Sequence, residues 1–182
     1  ISKIAAHWMA INYREAYGLY ACNGILFNHE SPVRGETFVT QKIIKGLINI
    51  KNKKQKKLYL GNLYAKRDWG HAEDYVKAMW LMLQQKIPQD FVIATGQQYT
   101  VKDFVNLSAK KLQIPIIWKG QNLREKAYYN NKPIIEIDPK YFRPSEVDSL
   151  KGNAQKAKKV LRWKPKYTIN TLIDDMIRII DQ

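Results

Sequence analysis

Three segments of this chain gather side chains that could bind or move charge. The first, FNHESPVRGE (27–36), sets Asn28, His29, Glu30 and Arg34 around a bend that Pro32 and Gly35 favour. Such a set can hold an anion and hydrogen-bond a hydroxyl; a capped loop with His29 satisfied by backbone is the plain alternative. The second, AKRDWGHAEDY (65–75), places Arg67 directly before Asp68 and Trp69. A carboxylate and an aromatic face can fix a guanidinium, and a fixed guanidinium forks onto a diphosphate. A structural Arg–Asp pair leading into a helix competes with that reading. The third, YFRPSEVDSLKGNAQKAKKVLRWKP (141–165), carries Arg143 ahead of a proline, which biases its backbone towards an extended form, with Glu146 close behind. Arg143 and Glu146 together could take a phosphate and a hydroxyl or base edge, while Trp163 reads as a packing anchor. The three histidines, at 7, 29 and 71, show no metal-ligand spacing, so no metal site is expected.

Side chains of this kind need a frame, and the hydrophobic pattern supplies one. Ile1, Ile4, Ala5, Trp8, Met9 and Ile11 recur at helical spacing over residues 1–17, and the pattern is under way at the first residue with no capping residue ahead of it. LYACNGILF (19–27) reads as a buried strand, Thr37 to Ile48 as a helix and KLYLG (57–61) as a short strand. A helix over 71–85 has acidic residues in its first turn and an apolar face of Tyr75, Val76, Met79, Trp80 and Leu83. There follow a strand at 90–96, a helix at 100–112, strands at 114–120 and in PIIEIDP, and helices at 153–161 and 169–181, the last with Thr168 as its N-cap. Alternating strands and helices predict an α/β fold with a largely parallel sheet and right-handed crossovers. In such folds the sites lie in loops at the carboxyl ends of strands, where the three charged segments fall.

Composition bounds the function classes. A chain of 182 residues with 45% hydrophobic and 12% aromatic content can bury a core. No run approaches the roughly 20 apolar residues of a membrane span, and the start lacks a secretory pattern. Cys22 is the lone cysteine, which excludes an internal disulfide and fits a reducing, cytoplasmic setting. The net charge of +15 calls for an anionic partner, small or macromolecular. Its densest run, KNKKQKK (51–57), has no interleaved aromatics to stack on bases, so it reads as a solvated connector. A basic nucleic-acid-binding protein is therefore the minor alternative.

The segments NGILFNHESPVRGETFVTQKI, LGNLYAKRDWGHAEDYVKAMWLML and YFRPSEVDSLKGNAQKAKKVLRWKP resemble the GDP-mannose 4,6-dehydratases, members of the extended short-chain dehydrogenase/reductase group. The RDW…D and RP…KA…LxWxP patterns are common to many nucleotide-sugar enzymes; NGILFNHESP…RGETFVT is narrower. The resemblance implies the carboxyl-terminal part of an NAD(P)-binding Rossmann fold plus a smaller α/β substrate-binding domain. Residues 1–35 would end the Rossmann domain, and 36–182 would mainly bind the nucleotide sugar, with 58–98 partly returning to the Rossmann sheet. ISK resembles the end of a YxxxK motif, making Lys3 the motif lysine and placing the catalytic tyrosine upstream with the glycine-rich loop. The chain is thus expected to be a fragment, inactive by itself, of an enzyme that converts GDP-mannose to GDP-4-dehydro-6-deoxy-mannose with NADP.

The same resemblance makes Lys3 catalytic and, with His29 and Arg34, cofactor-binding. Asn28 and Lys42 face substrate, Arg67 and Arg143 clamp the diphosphate, and Glu146 sits on the nucleoside side. It also implies a dimer or tetramer with the first helix at a subunit interface, and neither membrane nor nucleic acid as partner. Several residues depart from the family pattern. Gln41 stands for a basic residue, Val33 for the first arginine of SPRRG, Asn153 for an Asp, Arg162 for the glycine of LGW and Tyr64 for an Asp. Gln41 would weaken the phosphate pocket, and Asn153 would cap a helix nearly as well as Asp. None removes a residue whose loss would forbid the chemistry. A related epimerase or reductase and a non-catalytic remnant are the remaining alternatives.

Overall fold

The structure, a computed structural model, describes residues 1–142 and 145–181, so the expectation for Arg143 falls outside the described residues. In chain order its elements begin with α1 (Ser2–Tyr17), β1 (Gly24–Leu26), β2 (Asn28–Glu30), α2 (Val39–Lys51), β3 (Leu58–Leu60) and β4 (Lys66–Arg67). They continue with β5 (Trp69–His71), α3 (Ala72–Leu83), β6 (Phe91–Ile93), β7 (Tyr99–Thr100) and α4 (Val101–Lys111). β8 (Ile117–Lys119), β9 (Lys126–Tyr129), β10 (Lys132–Ile137), α5 (Gln155–Val160) and α6 (Ile169–Ile180) complete the set. The chain divides into two units: residues 1–29, 68–97 and 151–168 form one, and residues 30–67, 98–150 and those from Ile169 onward the other.

In the first unit β1 pairs parallel with β6, as the alternating pattern predicts. Its core joins Tyr75, Ala78 and Met82 of α3 to Phe91 and Ile93 of β6, Ala157 of α5, Leu161 and Trp163. The inward stripe of α3 thus differs from the expected one. Of the predicted apolar face only Tyr75 is buried, while Val76, Met79, Trp80 and Leu83 are exposed. The helix carries two adjacent apolar stripes, and periodicity alone cannot say which one meets the core. α1 has no buried residue at all. Arg14 in its last turn forks onto Asp90 at 2.7 and 3.2 Å, and the Asp90 carboxylate also accepts the Asn23 N–H at 2.7 Å.

In the second unit α2, α4 and α6 pack on one another. Ile43, Ile44 and Leu47 of α2, Phe104 and Val105 of α4, and Leu172, Ile173 and Met176 of α6 are all essentially inaccessible to solvent. α4 starts with a reciprocal capping box between Thr100 and Asp103. The sheet has the order β3-β10-β9-β8. Only β3 and β10 run parallel; β9 is antiparallel to both β10 and β8. The largely parallel expectation fails here because Asn130 and Asn131, with φ of 49° and 60°, turn the chain straight back. Two consecutive left-handed residues make the turn that suits a two-residue hairpin, and asparagine tolerates it. The short strands β2, β4, β5 and β7 fall within segments that read as loops or element ends, since two or three residues are too few to show a period.

Candidate functional site

The first unit carries Lys3, Asn28 and His29. Lys3 lies exposed in the first turn of α1. Asn28 and His29 are half-buried on β2, which pairs with β5. His29 Nδ1 lies 2.9 Å from the Phe27 carbonyl, and its ring stacks on Tyr75 with centroids 4.9 Å apart. A carbonyl only accepts, so Nδ1 carries a proton and donates it to Phe27. That hydrogen bond and the stacking on Tyr75 give His29 a fixed ring orientation.

The second unit carries Arg34, Lys42, Arg67 and Glu146, and each cation is held by its surroundings. Arg34 Nε stands 3.3 Å from Glu30 Oε2, and its guanidinium carbon lies 3.5 Å over the Phe38 ring. Lys42 Nζ sits 3.6 Å above the Tyr141 ring. Arg67 donates through Nη1 to the Lys66 and Val147 carbonyls at 2.8 and 2.6 Å, and through Nη2 to Glu146. The backbone beneath Arg67 is also tied. β4 pairs with β7, the Lys66 N–H reaches the Asp148 carbonyl at 2.8 Å, and Leu150 N–H returns to the Lys66 carbonyl at 3.1 Å. Arg67 and Glu146, read separately from the sequence, therefore meet.

Asp68 does not fix Arg67 as its position in RDW suggested. Fully buried, it accepts from Thr95 N–H, Thr95 hydroxyl, Gly96 N–H and Gly152 N–H at 2.9, 2.5, 2.9 and 3.2 Å. It welds the turn after β6 to the segment leading into α5, within the first unit. A pocket of about 560 Å³ opens beside these turns, walled by Thr95, Gly96, Lys158 and Trp163 among others, and none of the residues expected to bind substrate or cofactor lines it. Among the described residues no group of three His, Cys, Asp or Glu is placed to hold a metal.

The departures from the family pattern have physical accounts except for Val33, which is exposed and makes no contact that explains it. Gln41 is buried and donates through Nε2 to the Pro32 carbonyl at 3.2 Å. Asn153 accepts the Gln155 N–H at 3.0 Å in a turn one residue ahead of the helix, whose N-cap is Ala154 with no side-chain cap, so the capping role expected of Asn153 is not the one it takes. Tyr64 donates to Glu125 at 2.5 Å, beside Lys102 at 2.6 Å on the other carboxylate oxygen. Burial alone would raise the Glu125 carboxyl, but the ammonium and the phenol hold it below the usual range. Arg162 stands at φ 53°, a left-handed conformation at the end of α5 where glycine would be unstrained. Thr40, whose hydroxyl donates to Glu30 at 2.7 Å, is a contact that sequence reading did not single out. Glu30 lay in the charged loop, yet nothing local showed that its carboxylate turns inward.

This fold recurs in solved proteins that bind nicotinamide dinucleotides. RMD from Pseudomonas aeruginosa, solved with NADPH, superposes with a TM-score of 0.81 at 19% identity, covering 99% of this chain and 54% of that one. dTDP-glucose 4,6-dehydratase from Bacillus anthracis, solved with NAD, gives 0.76 at 20% identity over 98% of this chain and 50% of its own. The chain thus shares the Rossmann-type α/β fold of these proteins. The family model for GDP-mannose 4,6 dehydratase matches residues 1–176. Dehydratases of that name from Vibrio cholerae and Dictyostelium discoideum are 51% and 54% identical over 97% of this chain. The chain belongs to the GDP-mannose 4,6-dehydratase family. It spans about half the length of these curated relatives, 51% and 50% respectively.

Proposed function

We propose that this chain forms the nucleotide-sugar-binding part of a GDP-mannose 4,6-dehydratase that converts GDP-mannose to GDP-4-dehydro-6-deoxy-mannose, in a cytoplasmic setting. The observation that carries the reading is the pre-set state of its cations. Arg34, Lys42 and Arg67 are each held by a carboxylate, an aromatic face or backbone carbonyls. Held cations lose little freedom on meeting a diphosphate. Arg67 and Arg143 clamp that group, Glu146 reads the nucleoside, and Asn28 and Lys42 face the sugar. On this reading residues 1–35 end the dinucleotide-binding domain, and 36–182 serve mainly the nucleotide sugar, with 58–98 partly rejoining the first.

The residues present fit a nicotinamide dinucleotide, and NADP is the form proposed. Arg34 offers a fixed guanidinium to an anionic group, and His29, its ring set by the Phe27 carbonyl, offers Nε2 for a hydrogen bond. When bound, the nicotinamide supplies a reversible hydride acceptor: C4 of the sugar is oxidised, water is lost across C5–C6, and the hydride returns to C6. Lys3 places an ammonium beside the phenol of the YxxxK motif, which favours phenolate and readies a base for the C4 hydroxyl proton.

The test is product analysis with the complete enzyme supplied with GDP-mannose and NADP. A 4-dehydro-6-deoxy product is expected, and Lys3→Ala should cut turnover while leaving GDP binding intact. An epimerised or simply reduced sugar would replace this reading with an epimerase or reductase. An intact mass of only 21.3 kDa from the natural source would make the chain a remnant without catalysis.

A further inference from the structure

We propose that Glu30 is the positioning residue for Arg34, with Thr40 setting Glu30 in turn. This rests on the reading of Arg34 as a dinucleotide-binding residue and adds a tier beneath it. Glu30 is 2% exposed, and its Oε2 receives the Thr40 hydroxyl at 2.7 Å and faces Arg34 Nε at 3.3 Å. A carboxylate this deep needs partners, and once partnered it is a rigid anchor.

Three features make this anchor consequential. Thr40 lies in the first turn of α2, a helix whose apolar face is locked into the core of its unit, so the chain of contacts runs from a rigid element to the cation. The loop between is closed by Arg34 N–H to Ser31 carbonyl at 3.0 Å, Phe38 N–H to Gly35 carbonyl at 3.1 Å and Gln41 Nε2 to Pro32 carbonyl at 3.2 Å. Finally, Arg34 is the one Lys or Arg between Phe27 and Gln41, since Val33 and Gln41 replace basic residues of the family pattern. Glu30 Oε2 faces Nε as a charge contact at 3.3 Å without a hydrogen bond, and the Phe38 ring covers one face of the guanidinium, which leaves the Nη1–Nη2 edge to fork onto a phosphate. The cation is oriented before any ligand arrives.

The experiment is a double-mutant cycle on the complete enzyme, reading the NADPH dissociation constant by fluorescence titration and folding by thermal melting. Arg34→Ala should weaken NADPH by at least about tenfold, as loss of a charged hydrogen-bond partner does. Glu30→Gln should weaken it several-fold, and the double variant should be no weaker than Arg34→Ala alone, because a residue acting through Arg34 has nothing left to act on. Thr40→Val should reproduce the Glu30→Gln effect at smaller size, and Thr40→Ser should restore parental affinity. The Thr40 pair carries the test if Glu30→Gln does not fold. Parental NADPH affinity in folded Thr40→Val, or additive losses in the cycle, would overturn the positioning role while leaving Arg34 as a contact. Parental affinity in Arg34→Ala would overturn the cofactor reading of Arg34 and this inference with it.

Discussion

Arg67 shows how a charge on this chain is made useful. Its guanidinium is bound by Glu146 and two carbonyls, and the strand beneath it is laced to β7 and to the 148–150 segment. On the proposed reading a diphosphate would meet a guanidinium already oriented, so affinity would depend on this side chain more than its partial exposure suggests. Arg67→Ala in the complete enzyme should weaken GDP binding by about 2 kcal/mol, roughly thirtyfold in dissociation constant, measured by calorimetry. Unchanged affinity would remove Arg67 from the clamp. Asp90 is a second residue whose surroundings determine its behaviour. The Arg14 guanidinium forks onto it and the Asn23 N–H joins, holding its carboxyl down from 3.8 to about 2. A depressed carboxylate stabilises the fold above its unfolded pKa and loses that contribution as pH falls through the folded value. Asp90→Asn should therefore cost about 2 kcal/mol at neutral pH. That deficit should shrink as pH drops from about 4 towards 2, which denaturant titration across that window would reveal.

Among the elements, α5 illustrates a local rule broken and tolerated. It is short, its N-cap Ala154 supplies no side-chain cap, and it ends where Arg162 takes a left-handed backbone that the family pattern gives to glycine. The helix persists because Ala157, Leu161 and Trp163 are buried and the Trp163 indole donates to the Asp74 carbonyl at 2.8 Å. A side chain held at such a φ costs roughly 1–2 kcal/mol. Arg162→Gly should accordingly raise stability by about 1 kcal/mol, the flexibility of glycine in the unfolded chain offsetting part of the relief. A lower melting midpoint in that variant would contradict the strain. The opposite case is the β9–β10 hairpin, where Asn130 and Asn131 suit their turn and the local sequence agrees with the sheet.

At the scale of the molecule, the surface is basic and in places apolar. The KNKKQKK run is an exposed stretch from the end of α2 to β3, and Lys57 at its close binds Glu136 at 2.7 Å, as a solvated connector would. No described helix is long and apolar enough to cross a membrane. Ile4, Trp8 and Met9 on α1, and Val76, Trp80 and Leu83 on α3, are at least half exposed. Large apolar side chains in such numbers on two helices mark a surface to be covered. The proposed occupant is a second copy, in line with the oligomer that the family resemblance implies. Trp8→Glu should shift the complete enzyme from oligomer to monomer in sedimentation; a parent that is already monomeric at micromolar concentration would refute the interface.

The sequence by itself determined the nature of the elements and the loops that carry charge. Apolar spacing marked α1, α2, α3, α4 and α6, and the residue types of 27–36 and 65–75 marked the places where cations would gather. Those signals are local, for periodicity and turn chemistry act over a few residues. Only the tertiary structure decided the partners. Arg67 goes to Glu146 and not to adjacent Asp68, Asp68 goes to Thr95, Gly96 and Gly152, Glu30 turns inward to Thr40 and Arg34, and α3 buries Ala78 and Met82 in place of Trp80. Both stripes of α3 carry large apolar side chains, and a carboxylate accepts from whichever donors the fold brings near it. Such choices depend on proximity between residues far apart in the chain, which local periodicity and residue type do not encode.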